Sequence, residues 1–120
     1  MIKIDLYSSK YEGESEIFLR ERTITGELLT EIHLFSADFS SIMDWLPFGT
    51  TSSTESVIYK FNMILDWGIV ESEVGELEEF YQQLLVVEND IPQGDMEAYN
   101  AILKICLSTI QSGNKLYIKS

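Results

Sequence analysis

The sequence predicts an α+β fold: a small, mainly antiparallel sheet drawn from both chain ends and packed against about four helices. Ile2, Ile4 and Leu6 alternate with Lys3, Asp5 and Tyr7, the period of a half-buried strand. Between Ser36 and Gln111 the apolar residues recur at helical spacing, and Leu116-Tyr117-Ile118 returns to strand character. The length of 120 residues suits one domain spanning 1–120, and an apolar content of 45% can fill its core.

The elements follow in order. Ser8 to Glu16 is polar around Gly13 and reads as a loop. Glu16 to Ile24 and Leu28 to Phe35 read as strands joined at Thr25-Gly26. The second also fits a helix through Leu28, Ile32, Phe35 and Phe39; the hairpin is preferred. Ser36 is a candidate N-cap for a helix carrying Phe39, Ile42, Met43 and Leu46 on one side and ending at Pro47. The polar run from Thr50 to Thr54 can cap a second helix, with Val57, Ile58, Phe61, Ile64 and Leu65 on one face and a stop near Gly68. A third, from Val74 to Val87, is expected to bury Val74, Leu77, Tyr81, Leu84 and Leu85 and to turn Glu76, Glu79 and Gln83 outward. Asn89 to Gly94 is turn chemistry. The last helix, Asp95 to Gln111, carries Met96, Tyr99, Leu103, Cys106 and Ile110 as a stripe widened by Ile102, Ile105 and Leu107, which places it centrally. Gly113-Asn114 suits its C-cap, ahead of the closing strand.

Charge is the strongest functional signal. The net charge is −12, yet between Lys60 and Lys104 there is no lysine or arginine. That interval holds ten carboxylates: Asp66, Glu71, Glu73, Glu76, Glu78, Glu79, Glu88, Asp90, Asp95 and Glu97. Pairs such as Glu73–Glu76 and Glu76–Glu79, three apart, repel by roughly 0.2–0.5 kcal/mol each on a helix, and no lysine relieves them. Solubility alone does not require this arrangement, whereas a field that steers a basic partner does. Trp67, Phe80, Tyr81 and Tyr99 supply aromatics of the kind that anchor interfaces. The acidity disfavours direct binding to nucleic acid or to an anionic membrane.

Recognised reaction chemistry is not encoded. His33 is the sole histidine and sits in a strand, so any triad would have to be built on it. Cys106, the sole cysteine, lies in the most apolar helix and reads as a small buried hydrophobe; it excludes an internal disulfide and fits a reducing compartment. One histidine and one cysteine make no zinc site. In Glu88 to Glu97, Pro92 occupies a calcium-ligand position and Gly94 comes one place late for an EF-hand loop. Gly49 to Ser56 has hydroxyls but no lysine, so it is no phosphate loop. No cofactor is expected. With neither a leader-like N-terminus nor a long apolar run, the chain is expected in the cytoplasm.

In its overall character, and in the acidic stretch from Asp66 to Glu97, the chain resembles bacterial immunity proteins of the contact-dependent growth-inhibition or colicin type. The resemblance implies a non-catalytic inhibitor that covers the basic active-site cleft of a toxin, a nuclease in the first instance. The residues expected at such an interface are Asp66, Glu71, Glu73, Glu76, Glu79, Asp90 and Asp95, with Tyr81 as an anchor. Two alternatives stay open: an adaptor or regulatory subunit for another basic protein surface, and a small enzyme assembling a site around His33 at a subunit interface.

Overall fold

The computed structural model describes residues 2–7, 16–46 and 71–119. Strands β1 (Ile2–Asp5), β2 (Glu16–Arg22) and β3 (Leu28–Phe35) precede helix α1 (Ser36–Met43). Then come β4 (Ser72–Glu73), helix α2 (Leu77–Val86), two 3-10 turns at Glu88–Asp90 and Gln93–Asp95, helix α3 (Met96–Ser112) and β5 (Lys115–Lys119).

The architecture is α+β, with five strands in the order β1-β3-β2-β5-β4. β1 runs parallel to β3, and the other neighbours are antiparallel, so the sheet is mixed where a mainly antiparallel one was expected. The cause is topological: β2 begins at the sheet end where β1 finishes, and β3 inserts between them. Both chain ends contribute, through β1 and β5. Three α-helices lie among the described residues; the helix expected to stop near Gly68 falls outside them, as do the Ser8 loop and Pro47.

The hairpin forms as expected, and Leu28–Phe35 is a strand. Its turn closes through Gly26 N–H to Thr23 O (2.9 Å) and Thr23 N–H to Glu27 O (2.9 Å), with Gly26 at φ +95°, which a Cβ would disfavour. β2 alternates strictly: Ile17, Leu19 and Glu21 face the helices, while Glu16, Phe18, Arg20 and Arg22 face away. Ile17, Leu19, Ile32, Leu34, Leu116 and Ile118 meet Phe39, Ile42, Phe80, Leu84, Tyr99 and Ile102 in one core. Each such aliphatic or aromatic side chain contributes about 1.5–3 kcal/mol of burial.

Four expectations for the helices are corrected. Ser36 is the first helical residue of α1, and Phe35 holds the N-cap position without a side-chain cap. α2 starts at Leu77 rather than Val74, because Val74 N–H is committed to Leu116 O (2.8 Å) alongside β4. α2 is also rotated from the expected face. Phe80 takes the core position, Gln83 is buried beside Leu84, and Leu85 is exposed. Phe80 is the larger hydrophobe, and seating it swings Leu85 outward. α3 matches its expected span, and Leu107 is exposed rather than widening the core stripe. Its end is a left-handed cap, with Gly113 at φ +69° and Asn114 N–H bonded to Thr109 O (3.1 Å).

Candidate functional site

The carboxylates from Glu71 to Asp95 separate into three groups. Glu71 and Glu73 belong to the sheet. Glu71 Oε1 lies 3.2 Å from Arg22 Nε and 3.8 Å from an Arg20 guanidinium nitrogen, and Glu73 lies 3.3 Å from Lys115 Nζ. Arg20 also meets Glu31 at 2.8 Å. These two acids therefore neutralise the cations of β2 and β5 and tie the β4 edge to the sheet.

A second group is tied to the helical layer, Glu79 and Asp95 through their carboxylates and Glu76 through its backbone. Glu76 is in the left-handed conformation (φ 54°) at the N-cap of α2, and its carbonyl accepts from Phe80 N–H (3.0 Å). Glu79 accepts from Gln83 Nε2 (3.4 Å). Asp95 precedes α3 and accepts from Ser41 Oγ (2.6 Å), which joins α1 to the start of α3. Asp66 lies outside the described residues.

The third group forms a face. Along α2 the outward positions are Glu78, Gln82, Leu85 and Val86, followed by Glu88, Asn89 and Asp90 in the 3-10 turn. Leu85 is 36% and Val86 77% exposed. An apolar pair thus sits between Glu78 at one end of a ten-residue helix and Glu88 and Asp90 at the other, about 15 Å along the axis. Among the described residues no Lys or Arg lies within ion-pair distance of Glu78, Glu88 or Asp90. Part of this acidity has a local cause: Glu78 and Glu79 sit in the first turn of α2, where the helix dipole favours a negative charge. Glu88 and Asp90 lie beyond its other end, where it does not.

Tyr81 is half-buried and packs against the core. It lines a shallow groove of about 450 Å³ with Leu103 and Leu107 of α3, so its ring lies under the rim rather than standing free. Leu85 and Val86 were not among the expected site residues. Helical spacing alone offers several apolar stripes on α2, and only the seating of Phe80 selects among them.

The opposite face of the sheet holds a second cluster that strand register brings together. His33 is stacked between Tyr7 (4.6 Å between centroids) and Phe18 (4.4 Å). Its Nε2 lies 2.7 Å from Glu16 and its Nδ1 3.3 Å from Asp5. The Arg20 guanidinium lies 4.8 Å and Lys119 Nζ 5.8 Å from the Phe18 centroid, within cation–π range. Two carboxylates and two rings fix the imidazole as a cross-strand clasp, and no described serine, threonine or cysteine hydrogen-bonds it. Among the described residues the arrangement has an orienting acid and a base position, with no nucleophile hydrogen-bonded to the ring.

Cys106 is fully buried, and burial pushes its thiol up to about 12, far from the thiolate that reactivity requires. Among the described residues no group of three or more His, Cys, Asp or Glu side chains is placed to hold a metal, and no helix is long and apolar enough to cross a membrane. No family model, curated protein or solved structure matches the chain.

Proposed function

We propose that the chain is a non-catalytic binding protein that docks a basic protein surface through the outward face of α2 and the turn after it. An immunity protein occluding the phosphate-binding cleft of a toxin nuclease is the form this takes. The observation that carries it is the exposed Leu85–Val86 pair between Glu78 and the Glu88–Asp90 turn, with no cation among its neighbours in sequence. An apolar centre with a charged rim suits a protein interface, and a single-sign rim speeds encounter with an opposite charge. Glu71 and Glu73 have structural duties and belong to the interface only at its margin. The cytoplasm is the compartment in which such an inhibitor would act.

The test begins with a pull-down in low salt and again in about 0.5 M salt, where screening shortens to a few ångströms. A stoichiometric basic partner that is toxic when expressed alone supports immunity. A non-toxic one indicates an adaptor. With the partner in hand, Glu78→Lys with Asp90→Lys is expected to slow association and flatten its salt dependence, while the fold is retained with a loss of about 1–2 kcal/mol in unfolding free energy, the favourable α2 dipole term that Glu78 supplies and a Lys reverses. Unchanged association kinetics would remove this face from the interface.

A further inference from the structure

Glu21 is only 2% exposed, on the helix-covered face of the central strand β2. Ser108 Oγ donates to one carboxylate oxygen (2.9 Å) and Asn114 Nδ2 to the other (2.8 Å). Both donors are neutral, and among the described residues no Lys or Arg nitrogen lies within ion-pair distance. A buried carboxylate is normally matched by a cation, because two neutral hydrogen bonds offset only part of its desolvation.

Glu21 also lines a cavity of about 280 Å³ between the sheet and α3. Its walls are apolar: Ile4 and Ile32 on the sheet side, Ala101 and Ile105 on the helix side. Ile2, 62% exposed on the edge strand, and the exposed Lys104 also border it and leave a route to solvent. The cavity therefore combines an aliphatic slot with one buried negative group, the form of a small-molecule site with a single orienting charge.

We infer that this cavity is a binding site for a small organic ammonium ion, its alkyl chain between β3 and α3 and its ammonium group on the Glu21 carboxylate. The ammonium would supply the missing counter-charge, and a short aliphatic chain matches the volume and the walls. Lys104 is the internal competitor, since its ammonium ends a flexible stem bordering the same space. The inference does not depend on the α2 docking face, which lies on other residues.

The experiment titrates n-butylammonium and, as an uncharged control, n-butanol into the full chain, following the backbone amides of Thr30, Ile32, Ala101 and Ile105 by heteronuclear NMR. The expected result is a saturable shift of these amides with n-butylammonium and at least roughly tenfold weaker binding of n-butanol, since a hydrogen bond to a charged group is worth that much. Glu21→Gln keeps the shape and is expected to lose the discrimination between amine and alcohol. Ala101→Leu fills the slot with Glu21 in place and is expected to abolish the shifts; the dispersed spectrum of each variant reports that it is folded. Lys104→Ala is expected to leave or strengthen amine binding. Equal binding of amine and alcohol, an unaltered preference in Glu21→Gln, or no saturable shift in either the parent or Lys104→Ala would overturn the inference.

Discussion

Cys106 illustrates how one residue couples burial to pH. Its side chain is wholly buried in the core, and burial raises the thiol from 9.0 to about 12. The neutral form is the one the fold accepts. Above pH 9 the unfolded chain releases this proton while the native state retains it, so the unfolded state binds fewer protons and stability falls as pH rises through that window. Each pH unit between the two values removes about 1.4 kcal/mol through this group. Burial, with Glu88 and Tyr81 nearby, moves the Tyr99 phenol in the same direction and adds to the alkaline loss. Cys106→Ala is expected to be less stable at pH 7, by the methyl-sized void it leaves, but to show a shallower decline between pH 9 and 10.5. Urea midpoints across that range read the difference. Parallel pH profiles for parent and variant would mean that the thiol titrates alike in both states.

At the level of elements, the contact between α2 and α3 is fixed by one buried hydrogen bond. Leu84 lies in the last turn of α2, where carbonyls lack a regular helical donor, and Tyr99 Oη donates to its oxygen at 2.6 Å. Tyr99→Phe keeps the packing and strands that carbonyl, so a loss of about 1–3 kcal/mol is expected in the urea midpoint, with native spectra retained. This lock also explains what could be read in advance. The hairpin was legible because the alternation of β2 and the Thr25-Gly26 turn are local signals, and α3 because its apolar periodicity is sustained over its 17 residues. The rotation of α2 was not legible. Its sequence offers Leu77, Phe80, Tyr81, Leu84 and Leu85 as candidates for the interior, and the choice among them depends on where Tyr99 and the sheet lie. The exposed Leu85 and Val86, and with them the docking face, followed only from that tertiary choice. The His33 clasp was hidden for a similar reason, since Tyr7, Phe18 and His33 meet through register and through the parallel placement of β1.

Across the whole molecule, the regional acidity was visible in the sequence, but its division between structural and free carboxylates was not. Arg22 and Glu71 are 49 positions apart and meet only in the folded sheet. Five of the eight basic residues, Lys3, Arg20, Arg22, Lys115 and Lys119, fall on the sheet face away from the helices, and the one other cation among the described residues, Lys104 of α3, borders the groove beside Tyr81. A net charge of −12 on a body with a radius of gyration of 13.5 Å carries self-repulsion that the expanded chain relieves. At 0.01 M salt the screening length of about 30 Å exceeds the molecule's radius, and at 0.15 M it shrinks to about 8 Å. Charge smeared over a sphere of this size, less the smaller relief of the expanded chain, then gives a stabilisation of roughly 4 kcal/mol between those conditions. The same change of salt weakens attraction to a basic partner. The two effects therefore have opposite signs: the urea midpoint should rise from 0.01 to 0.15 M sodium chloride while the association rate with the captured partner falls. Glu78→Lys with Asp90→Lys lowers the net charge to −8 and should reduce both salt responses together. A variant that reduced the stability response alone would place the partner on another face, because the carboxylates of the α2 face would then contribute to the global field without meeting the opposing charge.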